Sequence, residues 1–101
     1  ADVTDVRDHA AAPKVSVVMP AHDAEAWIDE AVRSVLGQTM PDLELVVVDD
    51  GSTDGTHDRL AAVTDPRLRV IRLDPNRGVV AARNAGVEAA RGRYIALLDA
   101  D

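Results

Sequence analysis

The sequence contains no cysteine and no phenylalanine, and only one tryptophan, one tyrosine and one lysine. Without cysteine there is no disulfide framework and no thiolate metal site, and the redox compartment is left open. With so few aromatic residues, a core must be assembled from Val, Leu, Ile and Ala, the palette of buried parallel sheets. Positive charge is also scarce. Eleven Lys and Arg against eighteen Asp and Glu leave a formal charge of −7, which excludes nucleic-acid binding driven by charge. A phosphate-bearing small ligand remains compatible, provided a bound cation or a few placed arginines meet it. No apolar run approaches the roughly 18 residues that a membrane span needs. Residues 1–13 carry Asp2, Asp5, Arg7 and Asp8 around an alanine-rich patch; they lack the apolar centre of a signal peptide and read as a flexible leader.

What is present, in 101 residues of which 47% are hydrophobic, is one domain over residues 14–101. Four short apolar runs, Val15–Met19, Leu43–Val48, Leu68–Leu73 and Tyr94–Leu98, have the length and Val/Ile/Leu content of strands covered on both faces. The third is more polar and is expected nearer an edge. Between the first two, Ala24, Ile28, Ala31, Val32, Val35 and Leu36 recur at helical spacing. Asp23 is placed as the N-cap of that helix and Gly37 as its stop. A shorter helix is expected from about Asp54 to Val63. A third should run from about Gly78 to Arg91, with Gly92 following as its terminator and Gly86 marking close packing on the sheet. Alternating strands and helices predict an α/β fold, a Rossmann-like three-layer parallel sheet.

In such a sheet every strand's C-terminal end lies on one edge, and ligands bind there. Six of the fourteen aspartates fall in the four segments leaving those ends: residues 20–23, 49–52, 74–77 and 99–101. Asp99 and Asp101 would point the same way if the chain stays extended, which suits a hard divalent cation, Mg²⁺ or Mn²⁺; a solvated strand end is the alternative. Asp49 and Asp50 leave a buried strand together and would repel one another, so each requires a separate partner. One caps backbone N–H groups of the following turn, while the other is left for a ligand donor such as a base imide or a ribose hydroxyl. Gly51 allows the tight turn, and Ser52 or Thr53 starts the next helix. Arg77 and Arg83 flank a helix N-terminus that attracts anions; for Arg77, neutralising nearby aspartates is the preferred role. His9, His22 and His57 are too scattered for a metal cluster and read as surface residues. Trp27 lies off the main apolar stripe and reads as cover for a neighbouring loop, with a substrate platform as the alternative.

The ordered series VSVVMPAHDAEAWIDEAVRSVLGQT, DLELVVVDDGSTDGT and NRGVVAARNAGVEAARGRYIALLDAD closely resembles the start of family-2 glycosyltransferases with the GT-A fold. The resemblance covers Lys14 to Asp101. It implies transfer of a sugar from a nucleoside-diphosphate donor, by preference a UDP-sugar, to a saccharide or lipid-linked acceptor, with inversion and with Mg²⁺ or Mn²⁺. It further implies that Pro20 and Ala21 line the nucleotide pocket, that Asp50 contacts the base and that Asp49 supports the turn. Arg83 would lie near base and phosphates, Asp99 near ribose and metal, and Asp101 on the metal. His22-Asp23 stands where family members often carry Tyr-Asn, which puts Asp23 among the donor-binding positions and leaves the donor preference open. The family's catalytic base lies some eighty or more residues beyond the Asp-x-Asp motif. This stretch is therefore expected to carry donor and metal binding only and to be inactive alone. A cytoplasmic location is implied, at the membrane face in a full-length protein.

Two other readings compete. A non-catalytic nucleotide-sugar-binding module would show the same residues. A signalling receiver domain is also small, parallel and acidic at its strand ends, but it carries the acidic pair after its first strand and needs a lysine that this chain lacks. A fourth strand without an outer neighbour would also offer an edge for self-association.

Overall fold

The computed structural model describes residues 13–38 and 42–99. All but the last residue of the expected 1–13 leader, and Asp101, lie outside the described residues. Seven elements alternate along the chain: β1 (Val15–Ala21), α1 (Ile28–Leu36), β2 (Leu43–Asp50), α2 (Thr56–Ala61), β3 (Leu68–Leu73), α3 (Val79–Ala89) and β4 (Tyr94–Leu97). The strands form one parallel sheet in the order β3-β2-β1-β4. This 3-2-1-4 order is that of dinucleotide-binding folds, whereas receiver domains run 2-1-3-4-5. The receiver reading falls on that difference.

Side chains alternate across the sheet, and two cores follow. Met19, Ala21, Leu43, Leu45 and Val47 pack with Ile28, Val32 and Val35 of α1 and Leu60 of α2. Val18, Val46 and Val48 face the other way and pack on Ala82 of α3. Helices α1 and α2 thus cover one face and α3 the other, giving the three layers expected. Every residue of β2 is buried, as its unbroken apolar run requires. β3 sits at an edge, as its polar content indicated. Gly86 is the point of closest approach between α3 and the sheet, since a Cβ there would run into Val18 and meet Val48 Cγ2 at 3.1 Å.

Several boundaries differ from expectation for physical reasons. Helix α1 begins at Ile28, with Trp27 at its N-cap position and no side-chain cap. Asp23 is not that cap. Its φ is +46°, and its carboxylate accepts the Thr53 N–H at 2.8 Å. Helix α3 ends at Ala89 with Ala90 already extended, so Gly92 terminates no helix; its N–H instead donates to Ser16 Oγ at 2.7 Å. Strand β4 was expected to be covered on both faces, yet all four of its residues are exposed. It pairs only with β1 among the described residues.

The end of the sheet opposite the strand C-termini is tied by Glu44. Its carboxylate accepts from Ser16 Oγ at 2.6 Å, the Arg91 N–H at 2.7 Å and Arg69 Nη1 at 2.9 Å. Burial pushes the Glu44 carboxyl up, but the Ser16 hydroxyl, the Arg91 N–H and the Arg69 guanidinium together outweigh it and hold it below the usual 4.5. A group depressed on folding stabilises above its unfolded value, and that contribution is lost as pH falls through the folded value. Urea midpoints should therefore drop on acidification below about pH 4.5, and Glu44→Gln should flatten that acid limb while leaving the shares of Asp54 and Asp65, also depressed, in place.

Candidate functional site

The direction of the connections reverses between β1 and β4, and a crevice opens beyond the carboxyl ends of strands at such a point. Here it is a cleft of about 330 Å³. Its floor is Pro20 and Ala21, the last residues of β1. One side is the β1–α1 loop, through His22, Ala24 and Trp27. The other is the start of α3, through Gly78, Val79 and Ala82. Asp50, Asn76 and Asp99 supply the charged and polar groups.

The adjacent carboxylates Asp49 and Asp50 are separated by strand geometry: consecutive residues point to opposite layers. Asp50 faces α3. Its Oδ1 accepts the Arg77 N–H at 2.7 Å, and its Oδ2 accepts the Gly78 N–H at 2.8 Å and Asn76 Nδ2 at 3.0 Å. It thereby fixes the loop that opens α3. Asp49 faces α2, and its Oδ1 accepts the Ser52 N–H at 3.2 Å. Its Oδ2 is buried without a hydrogen bond, 3.5 Å from His57 Nδ1 and 3.9 Å from Arg72 Nη1. The expected division of labour is thus incomplete: both carboxylates cap chain N–H groups, and Asp50 does so with both oxygens.

The β1–α1 side is held from the β2–α2 loop. The Asp23 N–H donates to Ser52 Oγ at 2.9 Å and the Ala24 N–H to Thr56 Oγ1 at 2.8 Å. The Glu25 N–H donates to Asp54 Oδ2, and the Gly55 N–H returns a bond to Glu25 Oε1. His22 Nδ1 lies 2.8 Å from the Asp50 carbonyl oxygen. Both amide hydrogens of Asn76 have Asp50 oxygens to meet, so the Nδ1–H tautomer of His22 satisfies that carbonyl contact. Its Nε2 then faces Asp23 Oδ2 at 3.4 Å. At the β4 end of the cleft, Arg83 Nη2 stands 3.6 Å from Asp99 Oδ1, with both side chains well exposed. An exposed pair at that distance contributes little to stability, ~1 kcal/mol at most.

This geometry has counterparts. The family model described as "Glycosyl transferase family 2" matches residues 16–101. The chain belongs to glycosyl transferase family 2. Among curated relatives of this family-2 chain, the succinoglycan biosynthesis protein ExoO of Rhizobium meliloti is 51% identical over 89 residues, covering 88% of this chain and 26% of its own. Staphylococcus aureus TarS 1-349, solved with UDP-GlcNAc, superposes with a TM-score of 0.82 at 34% identity, over 87% of this chain and 26% of that one. The mannosyltransferase PcManGT of Pyrobaculum calidifontis, solved with GDP-Man and Mn²⁺, gives 0.79 at 33% identity, over 99% and 30%. The chain thus spans about a quarter to a third of the proteins it matches.

Of the donor-site residues expected in this family-2 chain, Pro20, Ala21, Asp50 and Asp99 converge on one cleft. Arg83 joins them through Asp99. Asp49 lies beneath the cleft, fully buried, and Asp23 stands beside it with its carboxylate bound to the neighbouring loop. Asp101 lies outside the described residues. Among the described residues there is no group of three or more His, Asp or Glu poised on a metal ion, and no helix is long and apolar enough to cross a membrane. Sequence reasoning missed His22, which it read as a surface residue, and Ala24, Asn76, Gly78, Val79 and Ala82 as cleft residues. The sequence signal for Asn76, Gly78 and Val79 was the turn triplet Asn76-Arg77-Gly78 shortly after the strand end at Leu73; in the structure Gly78 takes φ +95°.

Proposed function

We propose that this chain forms the donor-binding part of an inverting glycosyltransferase, which moves a sugar from a nucleoside-diphosphate sugar to an acceptor hydroxyl. The observation that carries the reading is the convergence of Pro20, Ala21, Asp50 and Asp99 on a single cleft at the switch point of the sheet. The solved relatives with UDP-GlcNAc and with GDP-Man support a nucleotide sugar as ligand. In the reaction the acceptor oxygen attacks the anomeric carbon, the bond from that carbon to the diphosphate oxygen breaks, and the acceptor proton passes to a general base. None of the cleft residues described is assigned that last role.

Pro20 and Ala21 would give the nucleotide an apolar floor. Asp50, by holding the Asn76–Gly78 loop, shapes the slot and leaves its remaining acceptor capacity to the base. Arg83 would meet the diphosphate charge. Asp99 fits a hard divalent cation: its carboxylate opens on the cleft beside a single guanidinium, whereas those of Asp49 and Asp50 are buried against chain N–H groups. Asp99 with Asp101 would hold Mg²⁺ or Mn²⁺, and a cation bound there would offset charge on the leaving diphosphate. The acceptor would be a saccharide or a lipid-linked saccharide, reached from the cytoplasmic side. The exposed, uncharged β4 edge with Tyr94, Ile95 and Leu97 also favours self-association.

Calorimetric titration of UDP, GDP and dTDP into the folded chain, with and without Mn²⁺, tests the donor site. One nucleoside diphosphate should bind, more tightly with Mn²⁺, and Asp99→Ala or Asp101→Ala should remove the metal dependence. A folded chain that binds none of the three sinks the reading.

A further inference from the structure

Among the described residues only two buried side-chain polar atoms lack a hydrogen-bond partner, Asp49 Oδ2 and His57 Nδ1. They face each other at 3.5 Å, a fraction of an ångström beyond an ordinary N–H···O bond and too close for a third group to stand between them. Asp49 closes β2 and is fully buried, so an unmatched carboxylate oxygen there is costly. His57 comes from the first turn of α2, with 42% of its side chain exposed. The other charged group near that oxygen is Arg72 of β3. Its Nη1 is farther off, at 3.9 Å, and its Nη2 donates to the Ser52 carbonyl oxygen.

A neutral imidazole carries one ring hydrogen. Placed on Nε2, it would turn the Nδ1 lone pair onto a buried carboxylate oxygen, and both atoms would stay unmatched. Placed on Nδ1, it matches both at once and leaves Nε2 as an acceptor for water. The orientation of this carboxylate is felt at a distance. Its other oxygen accepts the Ser52 N–H, Ser52 Oγ accepts the Asp23 N–H, and Asp23 Oδ1 accepts the Thr53 N–H. This series of bonds runs from α2 through the β2–α2 loop to the β1–α1 wall of the cleft. His57 stands at its far end and does not itself line the cleft.

We propose that His57 is a positioning residue of the donor site, an assignment that rests on the donor-binding reading above. Its Nδ1–H closes on Asp49 Oδ2 and holds that carboxylate in the orientation from which the cleft wall is hung. Two measurements test it. Above about pH 8, where histidine carries one ring hydrogen, the ¹⁵N shifts of the His57 ring should show that hydrogen on Nδ1. His57→Asn, which loses the His57 signals, identifies them among the three histidines of the chain. Calorimetry with UDP then compares variants. One hydrogen bond is worth about tenfold in an equilibrium constant, and part of that should reach the cleft. His57→Leu should therefore weaken UDP binding about fivefold in the folded chain, whereas His57→Asn, whose amide nitrogen takes the place of Nδ1, should stay within about twofold of wild type. Urea unfolding confirms that both variants are folded under the titration conditions. A ring hydrogen on Nε2 overturns the proposal. So does undiminished UDP affinity in His57→Leu, or an equal loss in Leu and Asn, and each of these leaves the donor site standing. A folded wild-type chain that binds no nucleotide removes the donor-binding reading and, with it, the positioning role.

Discussion

Asp50→Ala is expected to cost about 4 kcal/mol of folding stability and to abolish nucleotide binding. The carboxylate is 3% exposed and accepts from the Arg77 and Gly78 N–H groups and the Asn76 amide. Its removal strands donors in a buried place, at roughly 1–3 kcal/mol each and less than additively. A small domain has a margin of only about 5–15 kcal/mol, so the variant should approach the folding threshold. Asp50→Asn keeps the shape but turns an amide donor toward chain N–H groups, and about half the loss is expected. Urea unfolding of the three proteins measures this order. Equal stability of Asp50→Ala and wild type would show that the carboxylate does not hold the loop. In that case Asp50 would be free for a ligand.

The second large effect is expected at Gly51. Its φ of +65° is in the left-handed region, which disfavours side chains by roughly 1–2 kcal/mol. A Cβ there would also run into the Asn76 backbone nitrogen, with the Asn76 Cα at 2.8 Å. Those are backbone atoms of the loop that Asp50 secures, so they cannot swing aside as a flexible side chain would. Overpacking of this kind adds roughly 1–3 kcal/mol. Gly51→Ala should lose about 3 kcal/mol, on the order of a 15 °C fall in Tm, and weaken nucleotide binding by displacing Asn76. Gly78→Ala is the internal comparison. Its φ is also positive, at +95°, but a Cβ there meets nothing within 4 Å. With ψ at 161° Gly78 sits in a region that only glycine populates, so Gly78→Ala reports backbone strain without contact. A Gly51→Ala loss at least as large, despite its milder backbone region, measures the clash at Asn76. A loss at Gly51 of no more than about 1–2 kcal/mol would show that the clash is relieved.

The sheet and its order of elements were legible because they rest on local pattern. The continuous Leu43–Val48 run could only be a buried strand, the arginines of Leu68–Leu73 marked an edge, and Gly86 marked a close helix–sheet approach. Strand ends alone put Pro20, Ala21, Asp50 and Asp99 on the ligand-binding edge, while their choice as donor-site residues came from the family resemblance. Failures came where a residue's partner lies far away in sequence. Asp23 has the chemistry of an N-cap, but Thr53 and Ser52, some thirty positions on, take both its carboxylate and its N–H. Asp50 reads as wholly free for a ligand until the α3 loop arrives to take most of its acceptor capacity. The Tyr94–Leu98 run is apolar enough for burial, but its exposure depends on what pairs beyond it, which no local pattern encodes.

The assignment of Asp49 to the α2 layer and Asp50 to the α3 layer is a matter of parity. Inserting or deleting one codon between those for Leu43 and Asp49 would slide the pair by one place and exchange their directions. The loop-holding carboxylate would then face α2, and its buried neighbour would face α3. Two point substitutions could hardly do as much. Two-residue changes would preserve direction but shift the pair along the edge, away from Ser52 and Gly78. Chain-length variation should therefore be purged from β2 and tolerated in the connection from Ala62 to Arg67, where no side chain of the cleft depends on counting.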